Sequence, residues 1–273
     1  MCGENLQTKS DDLDKLLENP KDNMAALTVF LDAIVEKAIR EVNVSFAVRR
    51  LAKLDTSEEL LPKARRQLSS YRTRLGTIIE YAVSSEIDRI LRTYYEGRLS
   101  LTFVVAHEYP DFYLRGIDLK VLSRLEMKAV ENESDEQAAR CDFPTEKIDP
   151  DRDFVLFMGW EWKKEKSDNG VCWEHPFIFA HVLVPAVEIA RERDLRLFSI
   201  GGKIEDGSVL VPSTKERGKM VPDPGNYGKF WRIVKRSRWR ASDLSSYIKK
   251  FLKFQKVVDD HSPRKRMKRY KPD

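Results

Sequence analysis

The first part of the chain places apolar residues at the spacing of amphipathic helices, with an apolar position every three or four residues. Residues 24–42 follow this pattern, and two further helices are expected over residues 57–71 and 73–95. The pattern therefore predicts a helical N-terminal region, residues 1–72. A second unit, residues 73–273, begins with the third helix and contains the rest of the chain.

Beyond residue 98 the pattern changes to the alternation of apolar and polar residues that is typical of strands. Residues 153–162 (DFVLFMGWEW) are mostly apolar, as expected for a strand that is buried on both faces. The order of elements predicts an α/β fold. The segments expected after the third helix are strands over 99–107, 113–122 and 124–130, a short helix over 134–141, and the strand over 153–162.

The last 100 or so residues combine strands, a long loop and a final helix. The loop over residues 201–228 is rich in glycine and proline, and loops of this length are usually functional or mobile. The other predicted elements are strands over 177–184, 195–200 and 230–234, a helix from Pro185 to about residue 194, and an amphipathic helix over 242–258.

The composition excludes several classes of protein. With 41% hydrophobic and 34% charged residues among 273, the chain is too apolar to be wholly disordered. Its apolar stretches fall far short of the ~20 residues that a membrane span requires, and the polar residues 1–20 do not resemble a secretory signal. The three cysteines lack metal-ligand spacing. We therefore expect a cytoplasmic protein without membrane association, disulfides or zinc.

The net charge of +5 is unevenly distributed along the chain. Residues 229–273 contain 16 basic and 4 acidic residues, so this segment carries +12 and the preceding residues carry −7. A basic segment on a mildly acidic body favours a polyanionic partner, with nucleic acid the first choice. A solvated basic end that only aids solubility would have the same composition.

Candidate DNA contacts lie at the start of the basic segment, where residues 229–240 (KFWRIVKRSRWR) interleave six basic and three aromatic side chains. Basic side chains can neutralise phosphates, and arginine can also hydrogen-bond the edge of a guanine. The alternative is a strand with buried aromatic residues and solvated basic ones. The candidate DNA-binding residues are Arg232, Lys235, Arg236, Arg238 and Arg240.

Candidate chemistry is found on two adjoining predicted strands. Glu126 and Lys128 are two residues apart, so a strand places their side chains on one face. If the preceding hairpin is centred on Ser123, Asp118 lies opposite Lys128, and two acids and a lysine converge. Paired carboxylates suit Mg²⁺, and a lysine beside them can orient or deprotonate a water. The alternative is ordinary cross-strand ion pairing on an exposed face, with Lys120 opposite Glu126.

The order helix, three strands, helix, strand around these residues resembles the core of the PD-(D/E)xK nuclease superfamily, which includes most type II restriction endonucleases. In that family the second strand carries an Asp, the third carries an acid-x-Lys element, and the first helix often carries a Glu. Asp118, the Glu126-Met127-Lys128 tripeptide and Glu80 match these positions. The resemblance covers about residues 70–165.

The resemblance implies a restriction-endonuclease-like core, in which helices flank a mixed central sheet, and a Mg²⁺ ion bound by Asp118 and Glu126. It implies hydrolysis of phosphodiester bonds in double-stranded DNA at a short specific site, with Glu80, Asp118, Glu126 and Lys128 as the catalytic set. A homodimer is expected because two strands must be cut. The alternative is a non-enzymatic nucleic-acid-binding protein that uses its basic C-terminal third.

A second interpretation uses Asp111, which follows a proline and forms another acid…acid-x-Lys pattern with Asp118 and Lys120. Its spacing resembles that of the mismatch-repair nicking endonucleases of the same superfamily. The set Asp118, Glu126 and Lys128 is preferred because its acid-x-Lys element falls on the third strand. Asp111 is expected in a turn, where an Asp after Pro needs no catalytic explanation.

Overall fold

The structure is a computed structural model that describes residues 24–50, 53–54, 65–104, 109–132, 139–168, 170, 172–234 and 243–262. Two long helices come first: α1 is Met24–Ser45 and α2 is Arg65–Tyr94, with a short π-helical segment, Phe46–Arg50, directly after α1. The helix predicted over 24–42 is therefore confirmed.

Helix α2 runs through residue 72, where the sequence pattern predicted a break between two helices. That prediction is wrong, because residues 65–94 contain no proline and a single glycine, so nothing in this stretch interrupts a helix. The boundary expected between residues 72 and 73 falls inside α2.

A six-stranded sheet contains β1 Lys53–Leu54, which precedes α2, and five strands that follow α2: β2 Ser100–Phe103, β3 Phe112–Arg115, β4 Val121–Glu131, β5 Asp153–Lys166 and β6 Cys172–Pro185. The strands lie in the order β1-β6-β5-β4-β3-β2. Strands β4 and β5 are parallel, whereas all other neighbours are antiparallel, so the sheet is mixed and the fold belongs to the α/β class, as predicted.

Helices cover both faces of the sheet. On one face α1 and α2 share a hydrophobic core with β4 and with Leu156 of β5. On the other face α3 (Ala186–Ser199) and α4 (Ser246–Asp260) share a second core with Phe157 of β5. Residues 153–160 of β5 are all buried, which confirms the prediction of a strand enclosed on both sides.

Three predictions for the C-terminal part need correction. Residues 195–199 continue helix α3 and do not form a strand, because Ile189, Arg193 and Leu197 are buried at helical spacing. The predicted loop over 201–228 contains a small antiparallel sheet, ordered β7-β8-β9. The strand expected over 230–234 is a 3₁₀ turn, Phe230–Arg232. The new strands are β7 Lys203–Glu205, β8 Ser208–Pro212 and β9 Met220–Pro222.

The predicted amphipathic C-terminal helix is confirmed as α4. The hydroxyl of Ser245 caps it by accepting a hydrogen bond from the Ile248 N–H. Ile248 and Phe251 are buried, whereas Lys249 and Lys253 are exposed. Residues 139–141 are not helical, and the rest of the helix predicted over 134–141 lies outside the described residues. Among the helices that the structure describes, none combines the length and apolar character that crossing a membrane requires.

Candidate active site

The hairpin between β3 and β4 differs from the predicted one. Phe112 pairs with Leu125 and Leu114 pairs with Ser123, so the turn occupies residues 116–120. Ser123 is thus a paired strand residue and not the centre of the turn. The predicted register is wrong, and with it the expectation that Asp118 lies opposite Lys128.

The turn keeps Asp118 away from the other candidate residues. Its carboxylate accepts a hydrogen bond from the Lys120 N–H at 3.0 Å, and both side chains are exposed. Leu119 between them adopts a positive φ of 62°. Glu126 lies five residues beyond Val121, the first residue of β4, a distance of roughly 16 Å along an extended strand. Asp118 is therefore a turn residue, and neither it nor Lys120 joins the cluster around Glu126.

Asp111 occupies the place that the sequence prediction gave to Asp118. Strand β4 extends past β3, whose pairing ends at Leu125, and this leaves the edge of β4 without a strand partner among the described residues. There the Met127 N–H donates to Asp111 Oδ2, and the Ala129 N–H donates to Glu80 Oε1, both at 2.8 Å. Alternate N–H groups of a strand point to the same edge, so two carboxylates satisfy the donors that a neighbouring strand would otherwise satisfy.

Glu126 and Lys128 complete the cluster, and their location on one face of β4 is as predicted. Lys128 Nζ lies 2.5 Å from Glu126 Oε1 and 4.0 Å from Asp111 Oδ2. The side chains of Lys128 and Glu126 are only 19% and 9% exposed. Glu126 Oε2 is buried and has no hydrogen-bond partner in the described part of the chain. The structure thus brings Glu80, Asp111, Glu126 and Lys128 together.

Burial and mutual repulsion shape the ionisation of the cluster. Burial raises the pKa of Glu80 to about 7, against the opposing attraction of the Lys128 ammonium. Burial also raises the pKa of Glu126, and Lys128 again opposes the rise. Burial alone would lower the pKa of Lys128, but attraction to the carboxylates of Glu126, Asp111 and Glu80 outweighs it and raises that pKa. Lys128 is therefore an ammonium group surrounded by acids.

The cluster fits a divalent cation. A buried carboxylate oxygen without a partner, Glu126 Oε2, is costly unless a cation or a donor reaches it. Mg²⁺ commonly binds through one or two carboxylates and fills its other positions with waters and phosphate oxygens. Within the described ranges no group of three or more His, Cys, Asp or Glu side chains is arranged to hold a metal. In the described part of the chain, Asp111 and Glu126 are the carboxylates that lie within 4.0 Å of the Lys128 ammonium.

A buried polar network holds the segment that carries Asp111. The hydroxyl of Tyr109, two residues earlier, donates to Asp153 Oδ2 at 2.6 Å. Asp153 is fully buried at the start of β5 and also binds the guanidinium of Arg124 through two hydrogen bonds of 2.5 and 2.6 Å. The ring of Tyr109 stacks on Phe143 at 4.7 Å. The sequence prediction missed this network, although an Asp that opens an otherwise apolar strand indicated a buried partner.

A cleft of about 600 Å³ opens beside the cluster. The carboxylates of Glu80, Asp111 and Glu126 line it, together with Lys147 and Thr77. The aromatic residues along its walls are Tyr81, Phe103, Tyr109, Phe112 and Phe143. The carboxylate cluster is thus open to a ligand and is not sealed inside the core.

Of the predicted DNA-binding residues, only Arg232 belongs to the described residues. It ends the 3₁₀ turn and is half-buried, while its neighbours Phe230 and Ile233 are buried in the core shared with α4. Phe230 is therefore a core residue, as the alternative interpretation of this segment expected. Lys235, Arg236, Arg238 and Arg240 lie outside the described residues.

Comparisons with family models, with curated proteins and with solved structures found no match to this chain. The resemblance to the PD-(D/E)xK superfamily stays a prediction that rests on the sequence motif.

Proposed function

We propose that the protein is a Mg²⁺-dependent endonuclease of the PD-(D/E)xK type that hydrolyses phosphodiester bonds in double-stranded DNA. The observation that carries this proposal is the convergence of Asp111, Glu126 and Lys128 at the open edge of β4. Pro110-Asp111 followed by Glu126-Met127-Lys128 contains the Pro-Asp pair and the acid-x-Lys element from which the superfamily takes its name.

The topology supports a restriction-endonuclease-like core for this chain. Helix α2 is followed by three consecutive antiparallel strands, β2, β3 and β4, and then by β5 parallel to β4. These elements match the order in the resemblance except for the short helix expected over 134–141, of which residues 139–141 are not helical and the rest lies outside the described residues. The finer assignment, a type II restriction enzyme that acts as a homodimer on a short site, belongs to the same proposal.

Each residue of the cluster has a distinct role in this proposal. Asp111 and Glu126 hold the Mg²⁺ ion, which when bound makes water a stronger nucleophile and neutralises charge on the phosphate. The Lys128 ammonium donates hydrogen bonds that orient the attacking water and stabilise negative charge on the phosphate oxygens. Glu80 is a positioning residue, because it holds the Ala129 N–H next to Lys128.

The test is cleavage of supercoiled plasmid DNA with Mg²⁺ and with EDTA. D111N, E126Q and K128A should each lower the cleavage rate by roughly 100-fold or more, since each removes a group that contacts the metal, the water or the phosphate. D118N and K120A are matched controls from the exposed turn and should cleave like the wild type.

Three results would contradict parts of this proposal. Wild-type cleavage by E126Q excludes the acid-x-Lys element as the active set. Loss of cleavage in D118N with retention in D111N returns the metal-ligand role to Asp118. Wild-type protein that binds duplex DNA but cleaves none in Mg²⁺ supports a non-enzymatic nucleic-acid-binding protein.

A further inference from the structure

Two exposed aromatic rings form one wall of the cleft beside the carboxylate cluster. Tyr81 of α2 and Phe103 of β2 are 42% and 47% exposed, and their ring centroids lie 5.2 Å apart. Phe112, which directly follows Asp111, supports them from the core, with its centroid 5.7 Å from that of Phe103. Exposed aromatic surface that is grouped inside a cleft indicates a ligand with a flat, weakly polar surface.

A second pair of aromatic rings, Tyr109 and Phe143, also lines the cleft and is held in place by polar contacts. Tyr109 and Phe143 are stacked with an interplanar angle of 27°, and the Tyr109 hydroxyl is fixed by Asp153. The carbonyl oxygen of Phe143 accepts a hydrogen bond of 2.6 Å from the buried guanidinium of Arg193. All four rings line the same cleft as the carboxylates of Asp111 and Glu126.

We propose that this cleft binds an unstacked nucleobase of the nucleotide next to the phosphate that is cleaved. The inference rests on the proposed function, which assigns that phosphate to Asp111, Glu126 and Lys128. In an intact duplex each base face is covered by its neighbours, so aromatic side chains can stack only on a base that has left the helix or lies in a single strand. A cleft of about 600 Å³ falls within the range of small-molecule sites and has room for one base with its sugar.

The test measures equilibrium binding in Ca²⁺ to three labelled probes: oligo-dT of roughly 20 nucleotides, a matched duplex, and the same duplex with a central unpaired bubble. The double variant Y81A/F103A should bind oligo-dT and the bubble roughly 5- to 100-fold more weakly, as expected for the loss of aromatic stacking. Y81L/F103L keeps apolar bulk for folding and should lose the same affinity. F198A removes an exposed aromatic ring from α3 and is the matched control.

A 2-aminopurine base in the matched duplex separates the two sources of an unstacked base. A rise in its fluorescence on binding indicates a base flipped from the duplex, whereas preference for oligo-dT and the bubble without that rise indicates single-stranded substrate. Wild-type affinity of both double variants for all three probes would overturn the inference. Plasmid cleavage reports separately on the proposed function. If the double variants lose oligo-dT binding but the wild type cleaves no DNA in Mg²⁺, the result contradicts the proposed nuclease activity and not the base site.

Discussion

At the scale of single residues, Asp111 shows how a local backbone detail decides which acid joins the site. Alternation along β4 correctly predicts that Glu126 and Lys128 share a face, because side-chain direction in a strand has a period of two. The register of the hairpin depends on its turn, which here spans residues 116–120 and contains Leu119 at φ 62°. Alternation contains no signal for a leucine in the left-handed region, so Asp118 could not be excluded from the sequence.

Glu80 allows a prediction about stability and pH. Its pKa is raised by burial from 4.5 to about 7, so between those values the folded protein binds more protons than the unfolded chain. The contribution of Glu80 to the free energy of unfolding is therefore largest below about pH 4.5 and is lost as the pH rises towards 7. The glutamine of Glu80→Gln cannot ionise, and it keeps a side-chain oxygen that can accept the hydrogen bond from the Ala129 N–H. We expect the stability of E80Q relative to wild type to increase by up to about 3 kcal/mol between pH 5 and 8.

Urea unfolding at several pH values measures this difference directly. The control is Ser85→Ala, a substitution at an exposed, non-titrating position of the same helix, whose effect should not change with pH. If the difference between E80Q and wild type is equally flat, Glu80 does not ionise in this range.

At the scale of elements, the site exists because β4 is longer than the strand beside it. Pairing between β3 and β4 ends at Phe112–Leu125. Beyond that pair, the carboxylates of Asp111 and Glu80 accept hydrogen bonds from the N–H groups of β4. Sequence patterns predicted each strand separately, but the lengths over which they pair depend on tertiary contacts. The same limit explains the error at residues 195–199, where burial against the sheet favours helix over the local strand pattern.

The Tyr109–Asp153–Arg124 network should tune the proposed metal site without contacting substrate phosphate. Tyr109→Phe removes one hydrogen bond and leaves Asp153 bound to Arg124, so we expect a loss of about 1 kcal/mol in stability. Because Tyr109 anchors the segment before Asp111, the Mg²⁺ concentration for half-maximal cleavage should rise several-fold. Tyr227→Phe is the matched control, since Tyr227 donates to Asp194 in a similar pair outside that segment.

The metal dependence separates positioning from general destabilisation. Y109F and Y227F should lose comparable stability in thermal unfolding, but only Y109F should require more Mg²⁺. An equal Mg²⁺ requirement in both variants would show that Tyr109 is merely structural.

At the scale of the whole molecule, two helical layers enclose a mixed sheet, and the sequence was sufficient to predict this class. The apolar run of β5 and the amphipathic patterns of α1 and α4 are strong signals because each is long and periodic. The small sheet within residues 203–222 could not be predicted, since its strands have three to five residues and its surface is largely exposed. Such short elements depend on turn geometry more than on hydrophobic pattern.

The division of charge, −7 over residues 1–228 and +12 over residues 229–273, locates the expected electrostatic contact with DNA in the basic segment. If residues 229–240 contact phosphates, the logarithm of the binding constant should fall linearly with the logarithm of salt concentration, by about 0.9 per phosphate neutralised. R236A/R238A should weaken binding and reduce the slope by about that amount for each lost contact. The measurement is a salt titration on a random duplex in Ca²⁺.

The control K203A/K219A removes two lysines that are paired with Glu205 and Glu216, and should leave the slope unchanged. An unchanged slope and affinity in R236A/R238A would place the DNA contact elsewhere, with the exposed lysines of α4 the next surface to test.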